Sequence, residues 1–244
     1  MEQAHNFGLL GKNISYSFSK KYFEEKFKKL FLQNHSYNFF DVQDLDNIKD
    51  LFNSENLKGF NVTIPYKEAI IPFLDELSEE AEKIGAVNCV KIIDDKKIGF
   101  NTDAFGFEKS LLIHKKPHHT KALILGDGGA AKAVKYILEK HGINFQSVSR
   151  KSELNFDNLD SKTVAEHFLI IQCTPVGTFP NVEDCLNFPF EALTKQHYII
   201  DLIYNPNETA FIKKTRNQGA MTLNGYYMLE QQAEKAWSIW TKAL

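Results

Sequence analysis

The sequence is poor in cysteine. Its 244 residues include only Cys89, Cys173 and Cys185, which are far apart and form no CxxC pair. An odd number of dispersed thiols argues against a disulfide framework. Free thiols are typical of a reducing compartment, so we expect a cytoplasmic protein. His118 and His119 are adjacent but have no spaced partners, so we interpret them as part of a solvated loop and expect no metal site.

The sequence also lacks a strong charge imbalance and a long apolar run. Its 29 basic and 31 acidic residues give a net charge of −2, so no basic pattern indicates a nucleic-acid partner. No apolar run approaches the length of a membrane span. Residues 1–6 are polar, where a signal peptide would be basic and then apolar. We therefore expect neither a membrane nor a nucleic acid as partner.

The composition that remains is normal for a globular protein, with 43% apolar and 25% charged residues. The length allows two ordinary domains, and the polar loop 115–120 looks like a boundary. Predicted strands alternate with predicted helices, which indicates an α/β fold with parallel sheet. The predicted strands are 7–10, 36–40, 59–67, 121–125, 145–148, 168–171 and 197–203. The predicted helices are 20–31, 42–53, 68–74, 78–85, one ending near His141, and one at the C-terminus.

The strand at 59–67 places polar groups at its end. Apolar and polar residues alternate along it, and Pro65 should end the strand because proline has no N–H for the ladder. Ligands bind at the carboxyl ends of strands in open α/β sheets. Asn61 and Thr63 could therefore bond hydroxyl groups, and Lys67 could move a proton. The alternative is a strand edge with a solvated lysine.

Two further segments place polar side chains ahead of predicted helices. Ser17 and Ser19 precede the first helix, either as helix caps or as ligands of a carboxylate. A hairpin built on the turn 94–95 leads to Asp103 at the start of another helix. Asp103 is either a cap or a carboxylate that pairs with Lys67.

A glycine turn follows the strand at 121–125. Gly126 permits a tight turn, and Gly128 lets the backbone approach a pyrophosphate. Ala131 is an accepted third residue for close helix packing. Because this turn lies between a strand and a helix, it has the context that the dinucleotide fingerprint requires. We expect it to bind the phosphates of a dinucleotide.

The next strand ends in Ser149-Arg150-Lys151. A site for NAD has Asp or Glu at this tip, which binds the ribose 2′-hydroxyl. Arginine instead suits a 2′-phosphate, through its forked donors and by stacking on adenine. The sequence therefore favours NADP over NAD, and the alternative is two solvated basic residues.

Together these segments closely resemble the shikimate dehydrogenase family. The pattern Asn-Val-Thr-x-Pro-x-Lys combined with Asn-Thr-Asp is highly specific, whereas the glycine turn alone is not. The matching segments, in the family's order, are Gly11…Ser17-Phe18-Ser19, Asn61 to Lys67, Ala86-Val87-Asn88, Asn101 to Gly106, Gly126 to Ala130, Cys173 to Gly177, Asp201 to Tyr204, and Gly225…Met228-Leu229…Gln232.

The resemblance implies two α/β domains. An N-terminal three-layer substrate domain with a mostly parallel sheet would span 1–104, completed by the C-terminal helix 225–244. A Rossmann NADP-binding domain would span 105–224. The activity implied is reversible, NADPH-dependent reduction of 3-dehydroshikimate to shikimate, on the route to chorismate and the aromatic amino acids. The oligomeric state stays open between a monomer and a homodimer.

The resemblance also implies roles for single residues. Lys67 would be the proton donor and acceptor, paired with Asp103. The substrate would contact Ser17 and Ser19 through its carboxylate, and Thr63, Asn88, Asp103, Tyr204 and Gln232 through its ring and hydroxyls. The NADP-binding site would be lined by Gly126, Asp127, Gly128, Gly129, Ala130, Ser149, Arg150, Lys151, Leu202 and Gly225. Glu79 lies where the family often has an acidic residue near the cofactor, but this match is loose.

The chain departs from the family pattern in several places. Tyr16 stands where histidine is common, and Lys20 replaces a proline. The tip that usually reads Asn-Arg-Thr keeps only Arg150. Asp127 inside the glycine turn is unusual and places a negative charge close to the phosphates, which puts cofactor affinity in question.

Two other functions remain open. A quinate/shikimate dehydrogenase that uses NAD would be favoured by an acidic residue in place of Arg150. A non-catalytic ligand sensor with the same fold would be expected to lose Lys67 or Asp103, and both are present.

Overall fold

A computed structural model describes residues 4–15 and 17–242, so Tyr16 lies outside the described residues. The chain forms two compact units. The first comprises Met1–Thr102 and Ala233–Leu244, and the second comprises Asp103–Gln232. The domain ranges predicted above stay a prediction. Among the described residues, no helix combines the length and the apolarity that crossing a membrane requires.

The first unit is built on a mixed sheet with the strand order β2-β1-β3-β5-β6-β4. Its strands are β1 (His5–Gly11), β2 (His35–Asp41), β3 (Gly59–Val62), β4 (Glu76–Leu77), β5 (Cys89–Ile93) and β6 (Lys96–Phe100). Its helices are α1 (Ser19–Lys29), α2 (Ile48–Phe52), α3 (Tyr66–Ala69) and α4 (Glu79–Ile84), with a 3₁₀ turn at Ile71–Phe73. β5 runs antiparallel to both of its neighbours, and the other pairs are parallel. This confirms the predicted mostly parallel sheet.

Helices cover both faces of this sheet because apolar side chains alternate along its strands. In β1, Leu10 packs with residues of α2 and α3. Its neighbour Leu9 packs with Phe23 of α1 and with Ala236 near the C-terminus. The first unit therefore has the three layers that were predicted.

The second unit contains a parallel five-stranded sheet with the order β11-β10-β9-β7-β8. Its strands are β7 (Lys121–Leu125), β8 (Asn144–Val148), β9 (Leu169–Gln172), β10 (Tyr198–Asp201) and β11 (Met221–Leu223). Its helices are α5 (Thr102–His114), α6 (Gly129–Lys140), α7 (Ser161–Glu166), α8 (Ala210–Asn217) and the start of α9 (Tyr226–Thr241). Chain order reverses between β7 and β9, and doubly wound sheets bind nucleotides at such a switch point. The Rossmann-type fold is confirmed.

Several predicted elements differ from the observed ones. The helix predicted at 42–53 is wrong for its first half, since only α2 forms. There, the carboxylate of Asp44 accepts the backbone N–H of Asp46 at 3.0 Å and favours a turn. β3 ends at Val62, earlier than predicted, because Tyr66 N–H bonds Thr63 O and starts a turn. The hairpin is confirmed: β5 and β6 pair antiparallel, with positive φ at Asp94 and Asp95.

Candidate active site

Main-chain hydrogen bonds bring three predicted residues to one end of the first sheet. Val62 N–H, at the end of β3, donates to Asn88 O at 2.9 Å. Val87 N–H donates to Lys67 O at 2.7 Å. Thr63 follows β3 directly, so Thr63, Lys67 and Asn88 lie together where β3 ends. Lys67 stands in α3, just beyond the strand.

Asn88 is a structural group as well as a candidate ligand. Its side chain is 2% exposed, and its Oδ1 accepts the backbone N–H of Thr102 at 2.6 Å and the hydroxyl of Thr102 at 3.2 Å. Thr102 is the first residue of α5. Asn88 therefore accepts a hydrogen bond from a donor at the start of α5. Without Asn88, the buried N–H of Thr102 would lose this acceptor.

Tyr37 belongs to the same region, although sequence reasoning did not single it out. It is 1% exposed, and its hydroxyl donates to Asn61 Oδ1 at 2.9 Å. Asn61 Nδ2 in turn donates to Asn88 O at 3.3 Å. Burial raises the pKa of Tyr37 well above its ordinary value, and a hydrogen bond with Ser19 opposes that rise. The available signal was a tyrosine inside an apolar strand, whose hydroxyl needs a partner when buried.

Ser17 and Ser19 lie at the start of α1. Ser17 Oγ donates to Ser19 Oγ at 3.3 Å and accepts the Ser19 N–H at 3.3 Å. The residue in the N-cap position is Phe18, so neither serine occupies it. The two hydroxyls are thus adjacent and half-buried. We call the group of Ser17, Ser19, Tyr37, Asn61, Thr63, Lys67 and Asn88 the polar edge.

The glycine turn of the second unit has the conformation that the fingerprint needs. Gly126 has φ +108°, and a Cβ there would lie 3.0 Å from the side chain of Thr174. Gly128 has an ordinary φ of −86°, and a Cβ there would meet no atom within 4 Å. Gly128 is also the N-cap of α6 and provides no side-chain cap. An open backbone and uncapped helix N–H groups fit a pyrophosphate.

The predicted 2′-phosphate tip lies beside this turn. Leu125 pairs with Val148 in the β7–β8 register, and Gly126 N–H donates to Val148 O at 2.8 Å. Ser149 is buried, and its Oγ lies 2.7 Å from Ser152 Oγ, which closes a tight turn. Arg150 and Lys151 project from that turn and are exposed. Within residues 4–15 and 17–242 neither forms an ion pair, so their charges are available to a ligand.

The tips of β9 and β10 complete this edge of the second sheet. Cys173 N–H donates to Leu125 O at 2.8 Å, which joins β9 to β7. Leu202 N–H donates to Gln172 O at 3.0 Å. A Cβ at Gly225 would lie 2.0 Å from Leu202 O, so Leu202 and Gly225 are in direct contact. We call residues 126–130, 149–151, 202 and 225 the glycine-turn edge.

Three predicted substrate residues also belong to the second unit. Asp103 is 3% exposed and is the second residue of α5, so it does not occupy the N-cap position. One turn later, a Cβ at Gly106 would lie 3.3 Å from Gln232 N, which places Gln232 next to α5. Tyr204 is half-buried just after β10. The pairing of Asp103 with Lys67 of the first unit stays a prediction.

Other candidates have structural explanations. Glu79 is exposed at the start of α4 and pairs with Lys83 at 2.6 Å. His118 and His119 both contact Gln196 O, at 3.1 and 3.0 Å, and His119 is only 2% exposed, so the prediction of a solvated loop is wrong for His119. Over the part of the chain that is described, no group of three or more histidine, cysteine, aspartate or glutamate side chains could hold a metal ion.

Comparison with known proteins identifies the family. Residues 9–90 match the family model described as the shikimate dehydrogenase substrate binding domain. The chain is 36% identical to a shikimate dehydrogenase (NADP(+)) of Desulforamulus reducens, over 96% of this chain and 89% of that protein. The chain belongs to the shikimate dehydrogenase family. The resemblance inferred from the motifs is thereby confirmed.

Solved structures of this family are similar over nearly the whole chain. The shikimate dehydrogenase of Thermus thermophilus, crystallised with NADP(H) and shikimate, is 29% identical with a TM-score of 0.86, covering 98% of this chain and 94% of that one. A quinate dehydrogenase of Corynebacterium glutamicum, crystallised with NAD, is 28% identical with a TM-score of 0.87, covering 98% and 94%. Because both have nearly the same fold similarity, the fold alone does not select the substrate or the cofactor.

Proposed function

We propose that this protein catalyses the reversible NADPH-dependent reduction of 3-dehydroshikimate to shikimate, in the biosynthesis of chorismate and the aromatic amino acids. It is an NADP-dependent oxidoreductase that acts on a CH–OH group. One observation carries the choice of cofactor: Arg150 and Lys151 are exposed beside an open glycine turn, where an NAD enzyme has an acid. That observation disfavours the NAD-dependent quinate alternative.

The residues of the glycine-turn edge fit NADP(H). Gly128 and the N-terminus of α6 would receive the pyrophosphate, Arg150 the 2′-phosphate, and Leu202 and Gly225 the remainder of the cofactor. When bound, the cofactor supplies or accepts the hydride.

The polar edge supplies the remaining chemistry. Lys67 would exchange a proton with the substrate oxygen as the carbonyl becomes a hydroxyl. Ser17 and Ser19 would bind the substrate carboxylate with their adjacent hydroxyls. Thr63 and Asn88 would hold the ring hydroxyls, together with Asp103, Tyr204 and Gln232. Asp103 would act with Lys67 by orienting its ammonium group and the substrate hydroxyl.

Steady-state rates test the function directly. Initial rates are measured with shikimate and with quinate, each with NADP⁺ and with NAD⁺. We expect kcat/KM to be highest for shikimate with NADP⁺. A higher value for quinate with NAD⁺ would overturn the proposal.

Gly128→Ala tests the cofactor site without disturbing the fold. The backbone conformation at Gly128 is accessible to alanine and the space is open. We therefore expect the free energy of unfolding to change by less than about 1 kcal/mol. The methyl group would occupy the place of the pyrophosphate, so the Kd for NADP⁺ should rise. The contrast is Gly126→Ala, which should destabilise the protein because of the positive φ. An unchanged Kd in Gly128→Ala would exclude this turn as the pyrophosphate site.

The remaining expectations also stay proposals. We infer a cytoplasmic location, supported by the free thiols of Cys89, Cys173 and Cys185. We infer a monomer or homodimer that acts without a nucleic acid, supported by the net charge of −2.

A further inference from the structure

Asp127, the unusual acid in the glycine turn, has a specific partner. Lys135 Nζ lies 2.5 Å from Asp127 Oδ1. Over the described residues this is the one hydrogen bond or ion pair that the Asp127 side chain makes. In particular, the carboxylate accepts no backbone N–H at the start of α6. The negative charge of Asp127 is therefore paired with Lys135 and not with the N–H groups at the start of α6.

The start of α6 is a position that a carboxylate and a phosphate would both favour. Helix N-termini attract anions through unpaired N–H groups and through the helix dipole. α6 is 12 residues long, and its N-cap Gly128 has no side chain to satisfy those groups. Asp127 is the residue immediately before Gly128. An Asp127 carboxylate without a partner would repel a pyrophosphate at this site and compete with it for the same donors.

Lys135 is suited to hold this carboxylate away from the donors. It lies in the second turn of α6, and long side chains on a helix lean toward its N-terminus. Its side chain is 28% exposed and that of Asp127 is 45% exposed, so the pair is partly screened by water. The ammonium also acts on the tip of β9. Burial raises the pKa of the Cys173 thiol and Asp201 raises it further, whereas Lys135 opposes both.

We propose that Lys135 is a positioning residue for NADP(H), which binds the Asp127 carboxylate against the flank of α6 and keeps the helix N-terminus available to the pyrophosphate. This rests on the proposed binding of the pyrophosphate at the glycine turn. It also answers the question that Asp127 raised in the sequence. The turn tolerates the acid because the same helix carries its counter-charge.

A double-mutant cycle tests the proposal. The Kd for NADP⁺ is measured by calorimetry for wild type, Lys135→Met, Asp127→Asn and the double variant. We expect Lys135→Met to raise the Kd about tenfold, since one uncompensated charge then faces the pyrophosphate. Asp127→Asn alone should lower the Kd slightly, because Lys135 then lies near the pyrophosphate without its counter-charge. The double variant should return to within about twofold of Asp127→Asn, because the two residues act as a unit.

Three controls separate positioning from general stability. Lys135→Arg keeps the charge and should bind NADP⁺ like wild type. Lys140→Met removes another ion pair of α6, the one with Glu108 at 3.0 Å, and should leave the Kd unchanged. Adenosine 2′-monophosphate carries no pyrophosphate, so Lys135→Met should bind it normally. The defect for NADP⁺ should also shrink as ionic strength rises.

Two results would overturn the inference. One is a Kd for NADP⁺ that Lys135→Met does not change. The other is a double variant that binds as weakly as Lys135→Met, because Lys135 would then act on the cofactor itself or on the fold. Gly128→Ala distinguishes these failures from failure of the proposed site. If that variant binds NADP⁺ weakly while Lys135→Met binds normally, the site stands and only the role of Lys135 is lost.

Discussion

The polar edge and the glycine-turn edge differ in how far their side chains are buried and hydrogen-bonded. At the polar edge, Tyr37 and Asn88 are almost completely buried, and hydrogen bonds join Tyr37, Asn61 and Asn88 into one network. At the glycine-turn edge, Arg150 and Lys151 are exposed, and the space beside Gly128 is open.

This difference decides what a mutation can reveal. Removing a member of a buried network leaves its partners unsatisfied, at a cost of about 1–3 kcal/mol each, so stability and activity should fall together. Removing an exposed side chain at an open edge should change ligand binding and leave stability nearly unchanged. The following predictions test that separation.

The largest effect is expected at Lys67, because its proposed role is to transfer a proton in the reaction. Lys67→Ala should lower kcat by about 10²–10⁴, the usual range for loss of a general acid–base group, while shikimate still binds. Asp103→Asn should weaken both binding and turnover, because the amide cannot balance an ammonium charge. The double variant should be little worse than the worse single variant, since groups that act as a unit are non-additive. The measurement is kcat and KM for all four proteins, with thermal melts as the control for folding.

Two outcomes would contradict this prediction. If the two losses multiply, Lys67 and Asp103 act independently. If Lys67→Ala keeps a near-normal kcat across pH, the proton passes through another group, and Tyr204 is the next candidate.

Asp201 directly precedes Leu202 of the glycine-turn edge, yet it is buried. It therefore tests how far the exposed character of that edge extends into the second unit. It is fully buried, and it accepts the N–H of Ile203 at 3.1 Å and the hydroxyl of Thr209 at 2.6 Å. Burial raises the pKa of Asp201 from 3.8 to about 6, and the two hydrogen bonds oppose that rise. The stability from its protonated form is therefore fully present below the unfolded pKa and is lost as pH rises through about 6.

Urea unfolding of Asp201→Asn measures this effect. Between about pH 4 and pH 7, wild type should lose roughly 2 kcal/mol relative to the variant, because the pKa difference of about two units corresponds to about 3 kcal/mol over its full range and pH 4 lies above the unfolded pKa. Asp160→Asn is a control of opposite sign. Asp160 is exposed and accepts from Thr163 as the N-cap of α7, which lowers its pKa, so its contribution is lost as pH falls. Equal pH slopes in wild type and Asp201→Asn would show that the pKa of Asp201 is the same in the folded and unfolded states, so that burial does not raise it.

Arg150 gives the sharpest test of the open edge. Arg150→Ala should raise the KM for NADP⁺ by about tenfold to a hundredfold, as expected for loss of hydrogen bonds to a charged group, with little change for NAD⁺. The melting temperature should stay constant. The control is Arg216→Ala, because Arg216 pairs with Glu208 in the same unit. An equal loss with both cofactors would show that Arg150 does not bind the 2′-phosphate.

Much of the fold around the glycine-turn edge could be predicted from sequence, because the sequence patterns of strands, turns and helices are local. The strand, glycine turn and helix at 121–140 have apolar runs, special residues and helical periodicity in the right order, and the structure has β7 and α6 there. The turn at 94–95 was recognised in the same way. The very short strands β4 and β11 were missed, because pairing with neighbouring strands defines them rather than their own composition.

The partners of the site residues could not be predicted, because they depend on register and reach. Tyr37 meets Asn61 only because β2 and β3 flank β1. Lys135 meets Asp127 across a turn and a helix, beyond the three- and four-residue spacings that pair side chains within one helix. Sequence therefore indicated candidate residues for the chemistry, whereas the structure identified side chains that contact some of these candidates.

The smallest effect is expected at Ser17 and Ser19, which lie at the polar edge but outside the N-cap position. If they bind the substrate carboxylate, replacing both with alanine should raise the KM for shikimate about tenfold, because each hydroxyl contributes a hydrogen bond to a charged group. Stability should change by no more than a lost helix cap, roughly 0.5–2 kcal/mol.

Ser78 provides the matched control. It is the N-cap of α4, and its hydroxyl accepts the N–H of Ala81 at 3.2 Å. Ser78→Ala should therefore lower stability by a similar roughly 0.5–2 kcal/mol without changing the KM. If the double variant of Ser17 and Ser19 loses stability like Ser78→Ala and keeps a normal KM, the two serines only support α1. The group that binds the substrate carboxylate would then have to be sought elsewhere than at Ser17 and Ser19.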